Sequence, residues 1–178
     1  MFDYGSQMGN QYINSGIVDY FRIPKRSYYW YRNSYAKVPP PTWPTAGTAA
    51  GLKLTSSTAT LSAVDGTQDA WLLVTVVDSS GKPISNNVPV TLTIKSGPGE
   101  FPTGPSITFT PPGSGSASDI GIRDGQAAIE FRTYYSGVSI IEATSSGLAS
   151  SSVTITSQGS PAWVEGTTPK VAPRPYQP

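Results

Sequence analysis

The chain contains no cysteine and no histidine. Disulfides, zinc-thiolate sites, thiol nucleophiles, imidazole bases and serine–histidine–aspartate triads are therefore excluded. Any bound metal would have oxygen ligands alone, which favours a hard cation such as Ca²⁺. Charge is scarce as well: Asp, Glu, Lys and Arg make up 13% of 178 residues, about half the usual share. With a net charge of +1, no global field recruits nucleic acid or an anionic membrane. No run approaches the roughly 18 apolar residues of a membrane span. Met1-Phe2-Asp3-Tyr4 has neither the basic flank nor the apolar core of a signal peptide. The lack of cysteine leaves the compartment open.

Gly, Pro, Ser and Thr take the place of the missing charge, a mixture suited to short strands joined by many turns. Three zones follow one another. Residues 1–36 hold most of the tyrosines and several arginines. Tyr28, Tyr31 and Tyr35 recur at spacings of three and four after Pro24, which predicts a helix over Pro24–Ser34. Nearly every side of it is aromatic or basic, so it expects partners on more than one side. Arg22, Lys25, Arg26 and Arg32 among those rings suggest nucleic-acid stacking, but the balanced net charge argues against it.

Residues 37–50 form a linker in which Pro39-Pro40-Pro41 holds the chain stiff and extended. From Gly51 to about 158 the pattern changes to period two. Strands are predicted at Leu52–Leu54, Leu61–Ala63, Ala70–Val77, Val88–Ile94, Ile107–Thr110, Gln126–Arg132, Val138–Thr144 and Ser151–Thr156. Turn signals such as Asp65-Gly66, Gly97-Pro98-Gly99 and Asp124-Gly125 separate them. That count and spacing specify an antiparallel β-sandwich. Within Ala70–Val77, Leu72, Val74 and Val76 should face the core. The opposite set, Trp71, Leu73, Thr75 and Val77, is too apolar to lie bare in water. Residues 159–178 are a proline-rich tail.

Asp65-Gly66, Val76-Val77-Asp78-Ser79-Ser80-Gly81-Lys82-Pro83, Asp124-Gly125-Gln126-Ala127 and Ile141-Glu142-Ala143-Thr144 resemble the bacterial immunoglobulin-like repeats of invasin and intimin type. In the first zone, Phe2-Asp3-Tyr4, Gly16-Ile17-Val18-Asp19, Phe21-Arg22-Ile23-Pro24-Lys25 and Tyr28-Tyr29-Trp30-Tyr31 resemble the end of the (β/α)₈ barrel of glycoside hydrolase family 2, which includes β-galactosidases. The resemblance implies an all-β, immunoglobulin-like sandwich with an N-terminal helical and aromatic appendage that is a barrel tail. It also implies a secreted or periplasmic parent enzyme. The two catalytic glutamates of that family lie on barrel strands preceding this segment, and no glutamate of this chain matches their motif. No catalytic residue is therefore assigned.

On this reading the chain is a non-catalytic accessory module that binds polysaccharide or oligosaccharide, or supports the parent barrel. A ligand-free structural spacer is the alternative. A small self-sufficient glycosidase is a further one; it would need paired carboxyls roughly 5–10 Å apart, with Glu130 and Glu142 on neighbouring predicted strands as the candidates. Pairing of either with Arg132 or Lys95 would be an ordinary surface contact. For sugar stacking the candidates are Trp71, Tyr134 and Tyr135, with Trp43 and Trp163 beside them. Asp65, Asp69, Asp119 and Asp124 sit at turns and offer oxygen ligands for Ca²⁺, although Asp-Gly is also an ordinary turn dipeptide. The aromatic front end is expected to fold back on the Trp71/Leu73/Val77 face or to mediate self-association.

Overall fold

The computed structural model describes residues 7–8, 11–12, 17–18, 23–111 and 121–169. Strands β1 (Gln7–Met8) and β2 (Gln11–Tyr12) form a small antiparallel pair, and α1 spans Arg26–Ala36. The body consists of β3 (Gly51–Ser56), β4 (Thr60–Leu61), β5 (Ala70–Val77), β6 (Val90–Ser96), β7 (Ser106–Phe109), β8 (Gln126–Phe131), β9 (Gly137–Thr144) and β10 (Ser151–Ser157). One sheet has the order β3-β5-β8, the other β4-β10-β9-β6-β7. Pairings between these strands are antiparallel except β4 with β10, which run parallel. The eight strands fall within a residue or two of the runs read from the sequence, and the architecture is an immunoglobulin-like sandwich.

The core lies between the sheets. Leu72, Val74 and Val76 of β5 are completely buried against Leu92, Phe109, Ile141 and Ile155 of the opposite sheet, and Ile129 and Phe131 of β8 complete the layer. The alternate residues of β5 behave differently: Trp71 and Leu73 are half-buried, whereas Thr75 and Val77 are buried. Ala128, opposite Leu73 on the same outer face, is buried too.

Helix α1 starts two residues later than the spacing predicts. Pro24 pairs with Val18 in an isolated antiparallel bridge, and the Lys25 N–H donates to the Ile17 carbonyl at 3.0 Å. Both residues are thereby held extended, and helical geometry begins at Arg26. The helix ends at Lys37, which adopts a left-handed conformation (φ 57°) and donates its N–H to the Asn33 carbonyl. No residue of α1 is buried. Helix α1 meets Trp43 through Tyr29 and Arg26, and Asp124 through Arg26. Ile23, just before it, is half-buried against the sandwich core. The tail contributes too: the Ser136 N–H donates to the Pro161 carbonyl and the Trp163 N–H to the Ser136 carbonyl, both at 2.9 Å. Residues 161–163 are thus pinned beside the β8–β9 connection.

Candidate functional site

The C-terminal end of β8 gathers several of the residues singled out by sequence. Arg132 donates two hydrogen bonds of 2.8 Å to the Asp69 carboxylate. That pairing, with a further hydrogen bond to the Tyr134 side chain, holds the guanidinium above its usual pKa. The Tyr134 ring lies over Gly66, where any Cβ would collide with it. Thr133 folds the next residue back: its hydroxyl donates to the Tyr135 carbonyl at 2.9 Å and accepts the Tyr135 N–H. Tyr134 and Tyr135 are both half-buried. Trp71 lies across from Glu130 on the outer face of the three-stranded sheet. Trp71, one residue from the start of β5, lies at the same end of the sheet as the Asp69–Arg132 pair, and Tyr134 packs over the Gly66 turn.

The carboxylates are dispersed. Asp65 closes its own turn by accepting the Thr67 hydroxyl at 2.6 Å and the Thr67 N–H at 3.0 Å. The hydroxyl is the main cause of its lowered pKa. Asp69 is taken by Arg132 at one end of β8, whereas Asp124 sits in the turn before the other end, about 20 Å away along a six-residue strand. Asp119 lies outside the described residues. Among the described residues no three acidic groups converge into a metal-sized cluster.

Glu130 and Glu142 require a correction. They were expected on neighbouring strands, but β8 belongs to the three-stranded sheet and β9 to the five-stranded one. The β8–β9 connection crosses between sheets. Glu130 points outward beside Trp71, and Glu142 points outward from the opposite surface, where Lys95 lies 3.4 Å from it. Two sheets packed about 10 Å apart separate the carboxyls, so they cannot flank one glycosidic bond. Lys95 lies two residues from Thr93, the register partner of Glu142, which places it diagonally within reach. Glu100 is buried, with its backbone paired to that of Arg132; its turn-like sequence gave no hint of that burial.

A cavity lies elsewhere, at the join of appendage and sandwich. A cleft of about 480 Å³ opens between the start of α1, the proline linker and the β-turn before β8. That turn is built by Asp124 and Gly125, both at positive φ (49° and 73°), with Arg123 and Gln126 exchanging backbone hydrogen bonds of 2.9 Å. Such a two-residue hairpin turn suits Asp-Gly. Arg26 reaches over from the helix to Asp124, with contacts of 2.9 and 3.2 Å. The same guanidinium sits 5.2 Å from the centre of the Trp43 ring, and Tyr29 packs edge-on to Trp43 at 5.1 Å. Trp43 was one of several aromatics noted in the sequence, but only its setting in the rigid Pro41-Thr42-Trp43-Pro44 run marked it as fixed in place. Arg26, which meets both Trp43 and Asp124, links positions up to 98 apart, beyond any local pattern.

No protein-family model and no curated protein matches the chain. Solved structures do. A β-glucuronidase from glycoside hydrolase family 2 matches over 64% of this chain and 12% of its own, at 27% identity and a TM-score of 0.50. The sandwich is an immunoglobulin-like domain of the kind found in a family 2 glycoside hydrolase. A family 2 member from Bacteroides cellulosilyticus matches over 64% of this chain and 15% of its own, at 21% identity and a TM-score of 0.48. The D00–D0 domain of intimin matches over 62% and 49%, at 17% identity and a TM-score of 0.43. The chain spans only 12–15% of the length of these two family 2 proteins, a domain-sized share.

Proposed function

We propose that the chain is a non-catalytic accessory module of a family 2-type glycoside hydrolase and that it binds polysaccharide. The observation that carries this reading is the Trp43 cleft, where an aromatic wall and a few charged groups surround a volume of about 480 Å³. That combination suits sugar recognition: pyranose faces lie against rings while polar groups fix orientation. The separation of Glu130 from Glu142 by both sheets argues against a self-sufficient glycosidase built on them. Affinity electrophoresis in gels containing plant and bacterial polysaccharides tests the reading. Retardation on at least one polymer is expected; migration unchanged on every polymer would overturn it.

A second reading, support of a catalytic barrel, is favoured by the outward aromatic side of α1. Trp30 is 63% exposed and Tyr35 84% exposed, and Tyr31 stacks on Tyr35 with ring centres 6.3 Å apart. Rings left this bare are costly unless a neighbour covers them. Removing the stacked pair in a Tyr31→Ala/Tyr35→Ala variant would weaken barrel association and leave retardation on polysaccharide unchanged if support is the role.

A further inference from the structure

We infer that the Trp43 cleft takes an acidic sugar chain, one containing uronate residues, in preference to a neutral one; this rests on the polysaccharide-binding reading above and names its site and ligand class. The cleft does not stop at Trp43. A second cavity of about 380 Å³ adjoins it, between α1 and Pro40, with Trp30 and Asn33 in its wall. Arg26 and Trp43 belong to both cavities. The ring and its guanidinium therefore form a ridge between two adjoining hollows, a shape suited to consecutive units of a chain rather than a single compact molecule.

Charge selects among sugars. Lys25, Arg26 and Arg123 line the first cavity against one carboxylate, Asp124, and the second adds no acid. Asp124 is matched by Arg26 in a two-contact pair. Arg123 is exposed, and its guanidinium meets no carboxylate among the described residues. A guanidinium presents a planar fork that accepts a carboxylate in two parallel hydrogen bonds. The C6 carboxylate of a uronate supplies that partner; the hydroxymethyl group of a neutral hexose does not. A uronate chain thus satisfies both the aromatic ridge and the cationic wall.

Isothermal titration calorimetry of the full chain tests this with three probes: tetragalacturonate, a neutral cello- or xylo-tetraose, and inorganic polyphosphate. Tetragalacturonate is expected to bind, and to bind more weakly as NaCl is raised. Trp43→Ala should weaken it about ten-fold or more. Arg123→Gln should weaken the acidic probe several-fold while leaving any neutral binding untouched. Because Arg123 is exposed on the turn before β8 rather than on the helix, this variant keeps the test sharp if Trp43→Ala loosens the helix. Tighter binding of the neutral tetraose, or polyphosphate binding as tightly as the uronate with no dependence on Trp43, would overturn the inference and leave the polysaccharide reading standing. Silence from all three probes, together with no retardation on any polysaccharide, would overturn both.

Discussion

Two glycines with almost the same backbone conformation should respond very differently to alanine. Gly81 has φ +80° and Gly125 φ +73°. A Cβ on Gly81 meets nothing within 4 Å, whereas one on Gly125 would overlap the Ile84 carbonyl oxygen. Neither side of that overlap can yield easily. The Gly125 carbonyl accepts the Val76 N–H at 2.8 Å, and the Ile84 N–H donates to the Val76 carbonyl at 3.0 Å. The Gly125 N–H is held by the Asn87 side chain at 3.1 Å. The left-handed conformation alone costs alanine about 1 kcal/mol at either site, partly offset by the stiffer unfolded chain, worth roughly 0.4–1 kcal/mol. Gly81→Ala should therefore lose less than about 1 kcal/mol. Gly125→Ala must also distort two backbone hydrogen bonds at about 1 kcal/mol each, for a net loss of about 2–2.6 kcal/mol. In a chain of this length that lowers Tm by roughly 4–10 °C, against at most about 4 °C for Gly81→Ala. Scanning calorimetry with urea denaturation as a cross-check reads both. Losses within 1 kcal/mol of each other would show that close packing of the Asp124-Gly125 turn on β5 is not what demands glycine.

Other outcomes follow from the same geometry. Phe131 is completely buried and meets Phe101 edge-on at 6.3 Å, so Phe131→Ala should cost about 3–5 kcal/mol in urea denaturation; a loss under 1 kcal/mol would contradict this packing. Asp78 accepts the Ser80 hydroxyl at 2.6 Å and the Lys82 N–H at 3.0 Å, and these bonds, the hydroxyl first, lower its pKa below 3.8. Because the folded value is the depressed one, the stabilisation is complete above about pH 4 and fades as pH falls through the folded pKa. Asp78→Asn should flatten that acid limb, and a carboxyl NMR titration showing an ordinary Asp78 pKa would refute it. Asp124→Asn keeps a residue tolerant of positive φ but weakens the exposed pair with Arg26. Global stability should change by less than about 1 kcal/mol, while trypsin cleaves faster after Arg32 and Lys37. Unchanged cleavage would mean that the ion pair does not hold the helix.

The strands were legible because each carries its instructions locally. In β5 the alternation of Leu72, Val74 and Val76 with their neighbours fixes which side is buried, since a pleated strand has no other period. The Asp124-Gly125 turn was equally readable, as few other dipeptides accept two positive φ values in a row. The start of α1 was not: its delay to Arg26 depends on Val18 and Ile17 holding Pro24 and Lys25 extended, a pairing across a loop. Glu130 and Glu142 mark the same boundary. Both were recognised as outward residues on strands, yet consecutive strands in a sandwich either pair or cross to the opposite sheet, and alternation within a strand does not distinguish the two.

Alternating apolar residues and turn dipeptides, read one segment at a time, determined that this protein is a β-sandwich with an aromatic, helical front end joined by a stiff proline linker. Only the tertiary structure decided that Tyr134 is spent on the Gly66 turn, that Asp69 and Asp124 stand at opposite ends of β8, and that Arg26, Trp43 and Asp124 meet in one cleft. The reason is physical: burial and turn geometry are set by neighbours along the chain, whereas a site is made by side chains brought together from distant positions, through packing that no local period encodes.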